Sequence, residues 1–109
     1  MLEALWSVEF RTNAGYAGAG VAVFETGRIF GGDGQYFYIG TYTITYQHVV
    51  ANLRVRHYSG PLSSVFGPLK EVNLALSGDV AEKTFNVMGR AKEAPGEIFI
   101  RLTHRADLP

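Results

Sequence analysis

Apolar and polar residues alternate with a period of two along most of this 109-residue chain. The first clear run is 4–12, and the longest is 36–46, where Tyr alternates with Phe, Ile and Thr. Successive side chains of a strand point to opposite faces, whereas a surface helix needs a period of 3.6. Tyr, Thr and Ile also favour strands. The pattern therefore predicts an all-β protein.

Short turns separate the predicted strands at fairly even intervals. The strands are expected at about 4–12, 18–24, 28–30, 36–46, 49–58, 72–76, 85–89 and 98–102. Even spacing and hairpin turns predict an up-and-down antiparallel meander, and closing it into a barrel removes its two exposed edges. We predict one eight-stranded barrel domain over residues 1–109, with a flattened β-sandwich as the alternative.

Two segments fall outside the strand pattern. Residues 59–69 hold two prolines and two glycines together with Leu62, Val65 and Phe66. They predict an ordered crossing loop whose apolar residues plug an open end of the fold. The tail, 103–109, is predicted to be frayed or packed on a partner.

Composition excludes several classes of protein. The ten basic and ten acidic residues are spread evenly, which argues against nonspecific binding to nucleic acid or an acidic membrane. The absence of cysteine excludes disulfides, zinc knuckles and thiol catalysis. Neither a signal peptide nor the roughly 18 apolar residues of a membrane helix is apparent, so we expect a cytoplasmic protein.

No set of residues predicts catalysis, a metal site or a cofactor. His48, His57 and His104 lack metal-ligand spacing, and no Ser-His-Asp arrangement or carboxylate pair stands out. Asp33 follows Gly31–Gly32, and a single carboxylate is too few for calcium. We expect Asp33 to cap its own turn and His57 to be hydrogen bonded at the rim or in the core.

The tyrosine-rich run 36–46 is the unusual feature of the sequence, and three hypotheses compete for it. In the first, inward side chains line a ligand cavity. In the second, outward side chains form a protein interface. In the third, the side chains on both faces take part only in ordinary core and cross-strand packing. The candidate cavity residues are Tyr36, Tyr38, Tyr42, Leu53 and His57. The candidate interface residues are Phe37, Ile39, Tyr46 and Phe99. Arg54, Arg56 and Tyr58 with Tyr46 offer a further alternative, a platform for single-stranded nucleic acid.

Several stretches resemble the GrlR-type regulators, a family named for a negative regulator of type III secretion genes. They are Trp6–Asn13, Gly31–Asp33 and Tyr38–Gly40, with Gly18, Gly20 and Gly27 between the first two. The match covers roughly residues 6–58. The resemblance implies a lipocalin-like barrel that dimerises and sequesters a helix-turn-helix transcription activator by covering its DNA-binding helices. The family's acidic loop corresponds to residues 43–48, which hold no carboxylate, so no binding residue is carried over from it.

We therefore expect a noncatalytic regulatory domain that forms a homodimer and binds another protein, without direct contact to nucleic acid or membrane. The alternative is a carrier or sensor of a small apolar ligand. An empty interior of about 300 Å³ or more would favour the carrier. A filled barrel with an apolar patch outside would favour protein binding.

Overall fold

The computed structural model describes residues 2–13, 15, 17–62 and 68–109, and it consists of antiparallel strands joined by turns and loops. Eight strands lie in these parts of the chain: β1 (Ala4–Thr12), β2 (Ala17–Glu25), β3 (Arg28–Gly32), β4 (Tyr36–Thr45), β5 (His48–His57), β6 (Glu71–Asp79), β7 (Thr84–Ala91) and β8 (Glu97–Ala106). The predicted all-β class is confirmed.

The sheet closes on itself. Each strand pairs with the next along the chain, and β8 returns to pair with β1, where Phe10 faces Ile100 and Val8 faces Leu102. The up-and-down barrel is therefore confirmed, and the alternative of a flattened sandwich is wrong. Closure joins β1 to β8, the two strands that would otherwise be exposed edges.

The alternating apolar residues form one core inside the barrel. Its fully buried members include Trp6, Val49 and Val72. The Trp6 indole donates a hydrogen bond of 2.8 Å from Nε1 to the Leu2 carbonyl, so its only polar atom is satisfied. Its ring meets Phe85 edge-on at 4.9 Å between centroids, a favoured aromatic geometry.

Two inward-facing glycines allow adjacent strands to coil tightly. A Cβ atom on Gly31 would collide with the Val21 carbonyl oxygen of β2, and one on Gly40 would collide with the Asn52 carbonyl oxygen of β5. Glycine kinks of this kind give a small barrel its sharp curvature.

The prediction that the tail frays from Thr103 is wrong as far as Ala106, because β8 continues to that residue. Packing of the tail on a partner stays a prediction. After a register shift in β1, His104 lies opposite Trp6 and Ala106 opposite Leu5, so the pairing extends the barrel wall. The inward position of this segment holds His104, whose ring packs edge-on against Trp6 at 5.5 Å between centroids, so the apolar alternation that marks a strand stops at Leu102. No helix in the described part of the chain is long and apolar enough to cross a membrane.

The crossing loop can be followed only in part. Residues 63–67, which carry Val65 and Phe66 of the proposed plug, lie outside the described residues. Of its flanking apolar residues, Leu62 is 38% exposed, whereas Leu69 is partly buried and packs against the core.

Candidate functional site: barrel interior and outer surface

The interior of the barrel contains a small apolar cavity of about 60 Å³. Tyr38 and Leu53 are among the residues that line it. Ligand pockets usually measure roughly 300–1,000 Å³. The interior is therefore largely filled by its own side chains.

The other three candidate cavity residues do not line this space. The Tyr36 ring packs edge-on against His57 with 5.2 Å between centroids. Nε2 of His57 lies 2.8 Å from the Gly60 carbonyl oxygen, to which it donates. Tyr42 instead packs against Phe24 at 5.2 Å. Tyr36, Tyr38, Tyr42 and Leu53 thus pack in or against one core cluster, and two of the five candidates, Tyr38 and Leu53, line the cavity.

Asp33 organises the end of the barrel at which β3 joins β4. Its Oδ1 accepts hydrogen bonds of 2.8 Å from the backbone N–H groups of Gln35 and Tyr36, which confirms that Asp33 caps its own turn. Its Oδ2 accepts a 2.6 Å bond from the Tyr38 hydroxyl, and its carbonyl accepts a 2.6 Å bond from the Tyr58 hydroxyl. Both carboxylate oxygens are thus engaged within the fold.

Burial of Tyr38 raises the pKa of its hydroxyl, and its hydrogen bond to the Asp33 carboxylate raises that pKa further. Both effects favour the neutral phenol, because a phenolate would be desolvated and would face a negative charge. Tyr38 therefore acts as a structural donor at neutral pH.

The four candidate interface residues do not form one surface. Phe37 and Ile39 face outward from β4 and are 36% and 49% exposed, whereas Tyr46 is 98% exposed at the tip of the β4–β5 hairpin. Phe99 lies on β8, four strands away from β4 in an eight-stranded closed barrel and hence on its far side. There it packs under the Arg11 guanidinium, which lies 5.5 Å from the ring centroid.

Residues on β2 and β3 complete an apolar surface around Phe37 and Ile39. In the strand register, Val23 lies opposite Phe30 and Phe30 opposite Ile39, while Val21 lies opposite Gly32, the partner of Phe37. We call Val21, Val23, Phe30, Phe37 and Ile39 the outer apolar patch; all except the half-buried Val23 are at least 36% exposed.

Sequence analysis missed the β2 and β3 members of the outer apolar patch. The sequence does place these apolar residues at outward positions of consecutive strands. Whether they lie next to Phe37 and Ile39 depends on the strand register, which the sequence pattern does not give.

The proposed platform for single-stranded nucleic acid is not assembled. Tyr46 precedes β5 and Tyr58 follows it, so about ten residues at roughly 3.3 Å each separate the two rings. Tyr58 also packs on Phe37 at 6.3 Å between centroids. Arg56 lies 3.7 Å from Glu71 on the next strand. Adjacent bases could not stack on both tyrosines.

No group of three or more His, Cys, Asp or Glu residues in the described part of the chain is placed to hold a metal ion. Two histidines instead meet single carboxylates at the surface: His48 faces Asp79 and His104 faces Asp107, each at 3.0 Å.

Comparisons with known proteins agree with the fold. No family model and no curated protein matches the chain. A solved structure described as a redesigned beta barrel matches with a TM-score of 0.51 and 10% sequence identity, over 95% of this chain and 91% of that one. The chain therefore belongs to the structural class of closed antiparallel β-barrels.

Proposed function

We propose that this domain is a noncatalytic regulatory protein that acts by binding another protein with the outside of its barrel. The single observation that carries the proposal is the outer apolar patch. Four large apolar side chains, Val21, Phe30, Phe37 and Ile39, are 36–49% exposed on one side of a barrel whose interior is nearly full. Contiguous apolar surface of this kind is characteristic of interaction sites.

The filled interior supports protein binding over ligand transport. A cavity of about 60 Å³ has no room for a ligand of ordinary size without repacking the core. The outer apolar patch, in contrast, has the composition of an interface core, since aromatic residues are enriched there and charged residues depleted.

We further propose that, without the partner, two barrels associate through the same outer apolar patch, so that the dimer and the partner complex are alternative states. Aromatic residues at the centre of a buried surface carry much of the binding energy of an interface, and Phe30 and Phe37 would take that position. Arg56 with its partner Glu71, and the half-exposed Tyr58, lie beside Phe37 and would form part of the polar rim.

The resemblance to the GrlR-type regulators supports a particular partner, a helix-turn-helix transcription activator sequestered in the cytoplasm. In this chain, the Gly31–Asp33 and Tyr38–Gly40 stretches of the resemblance form one structural unit. Its centre is the bond from Tyr38 to Asp33, and Gly31 and Gly40 allow the close strand approach. In this chain these four residues of the resemblance therefore have a structural role in the barrel, and none of the four is assigned to the partner surface.

Affinity capture from the native host tests the proposed function. The tagged wild-type domain should retain a helix-turn-helix protein, and Ile39→Glu should lose it because a charge would enter the apolar centre of the contact. Met88→Glu is the matched control, since Met88 faces outward on β7 and is 44% exposed against 49% for Ile39. Equal retention by both variants, or no helix-turn-helix protein with the wild type, would contradict the proposal.

A further inference from the structure

A groove of about 490 Å³ runs over the outer surface of β4 to β7. Its floor is low because small outward side chains meet there: Asn52 on β5 lies opposite Ala75 on β6. Longer side chains flank it, with Ile39 on the β4 side and Arg90 on the β7 side. The concavity thus results from the register that aligns small residues on two adjacent strands.

The groove carries positive charge although the chain as a whole is neutral. Arg54, Arg90 and Lys92 line it, and no carboxylate does. Within the part of the chain that the structure describes, none of the three forms an ion pair. We call this surface the basic groove.

Two carboxylates lie beside the groove: Glu93, which follows β7, and Glu97 on β8, which lies opposite Arg90 in the strand register. The two oxygens of Glu93 accept bonds of 2.8 and 2.7 Å from the backbone N–H and the side-chain amide of Asn73. These hydrogen bonds lower the pKa of Glu93, so it stays ionised and fixed to β6. Glu93 and Glu97 offset two of the three cations, and the groove keeps an excess of one positive charge.

The backbone beneath the groove offers no free strand edge. Here β4, β5, β6 and β7 are paired in sequence, down to Ser77 opposite Met88. An extended partner therefore cannot add a strand, and docking must use side chains. Four strands span roughly 14 Å across the sheet, which accommodates one α-helix of about 10–12 Å in diameter.

The basic groove also borders the outer apolar patch. Ile39 belongs to both surfaces, and Phe30 lies opposite it on β3. The aliphatic stems of the flanking arginines add apolar contact area beneath their charged heads. A ligand lying in the groove would meet an apolar side at Ile39 and cations along its length.

We propose that the basic groove docks an acidic amphipathic helix of a partner protein, with carboxylates paired to Arg54, Arg90 and Lys92 and an apolar stripe against Ile39. This inference rests on the proposed function and adds the chemistry of one partner segment, an acidic helix that is distinct from the basic DNA-binding helices of such an activator. Among the residues that the structure describes, no aromatic one lines the groove, so these residues offer no base-stacking surface of the kind that single-stranded nucleic acid uses.

A pair of synthetic helices tests this inference directly. Each is capped, fluorescein-labelled and about 18 residues long, above the length at which isolated helices are marginal. Leu occupies one face at i, i+3, i+4 and i+7. The polar face carries about four Glu in one peptide and the same number of Lys in the other. Fluorescence anisotropy should show binding of the Glu peptide, weakening as salt rises, and no binding of the Lys peptide.

Charge reversal in the protein tests whether the Glu peptide binds at the basic groove. The double variant Arg54→Glu/Arg90→Glu should bind the Glu peptide about tenfold more weakly, since two attractive contacts become repulsive. Lys83→Glu/Arg101→Glu is the matched control, because it changes the net charge equally on residues that do not line the groove. The control should bind like the wild type, and melting curves should show that both variants are folded.

Three results would overturn the inference: equal binding of the two peptides, equal weakening by the two double variants, or tighter binding of a single-stranded oligonucleotide with the same dependence on Arg54 and Arg90. These outcomes are separable from the proposed function. If Arg54→Glu/Arg90→Glu still captures the partner that Ile39→Glu loses, protein binding stands and the groove is not its site. If the Glu peptide binds the groove but no regulator is captured, the proposed function fails instead.

Discussion

At the scale of single residues, individual side chains determine the structure and stability of two turns. Asp33 joins the turn between β3 and β4 to the barrel wall through Tyr38. Tyr46 occupies the first position of the two-residue turn between the paired residues Thr45 and His48 with a φ of 57°, where hairpin turns favour Gly, Asn or Asp. The first residue stabilises the fold, and the second strains it.

Tyr46→Gly should raise the free energy of unfolding by roughly 0.5–1 kcal/mol. Relief of left-handed backbone strain is worth about 1–2 kcal/mol, and the greater freedom of glycine in the unfolded chain offsets part of it. The Tyr46 ring is 98% exposed, so little packing is lost. Urea denaturation measures the change. Gln47→Gly is the control, because Gln47 has no positive φ and should only lose stability.

Tyr38→Phe should destabilise the protein at neutral pH by about 1.5–3 kcal/mol, the usual range for a hydrogen bond to a charged group. The folded state raises the pKa of Tyr38. Above the ordinary tyrosine pKa of about 10, the unfolded chain binds fewer protons than the native one, so the stabilisation by Tyr38 falls as pH rises.

Urea unfolding of wild type and Tyr38→Phe at pH 7 and 11 measures this dependence. The difference between the two proteins should shrink at pH 11. Tyr46→Phe, at a side chain that is 98% exposed, is measured alongside as the control. If the difference in unfolding free energy between wild type and Tyr38→Phe were the same at pH 7 and 11, the buried, Asp33-bonded environment of the Tyr38 hydroxyl would be contradicted.

At the scale of strands, the stability of the barrel depends on which face of each strand meets the core and on how closely neighbouring strands approach each other. β5 illustrates both: Val55 is 7% exposed and faces inward, whereas Asn52 is exposed and faces outward. The Asn52 carbonyl also lies where a Cβ on Gly40 of β4 would need to be. Side-chain alternation and backbone approach are thus separate constraints on one strand pair.

Val55→Asp should abolish cooperative folding, because an unpaired carboxylate would be buried in an apolar interior. Asn52→Asp introduces the same residue on the outward face of the same strand and should melt like the wild type. Circular dichroism melts compare the two. A near-native, cooperative melt of Val55→Asp would remove Val55 from the core.

Gly40→Ala should lower the free energy of unfolding by about 1–3 kcal/mol, the usual cost of overpacking, because the new methyl group meets backbone that cannot rotate away. Gly34→Ala is the matched control, since a Cβ there meets nothing within 4 Å and its φ is not positive. Chemical denaturation of both variants tests the prediction. Equal stability of the two would contradict the close approach of β4 and β5.

At the scale of the whole molecule, closure of the barrel separates surfaces that the linear sequence could not distinguish. The outer apolar patch and the basic groove lie side by side over β2 to β7, whereas Phe99 lies across the barrel under Arg11. The proposed contacts, both with a second barrel and with a partner helix, therefore belong to the side of the barrel formed by β2 to β7.

Phe37→Glu should give a folded monomer if two barrels associate through the outer apolar patch. Phe37 is 36% exposed, so the barrel tolerates a charge there while the apolar contact does not. Light scattering coupled to size exclusion should show a dimer for the wild type and for Met88→Glu, and a monomer for Phe37→Glu. A dimer that persists in Phe37→Glu would move the interface to another surface.

The sequence alone determined the number of strands, their approximate positions and most of the inward set of residues, because alternation along an extended chain fixes the face of each side chain before any partner strand is chosen. It also determined the Asp33 turn, since that cap is local. Only the tertiary structure decided that the sheet closes and that the cavity is small, because both depend on how eight strands coil together. The outer apolar patch and the basic groove likewise arise from register, which aligns residues far apart in the chain.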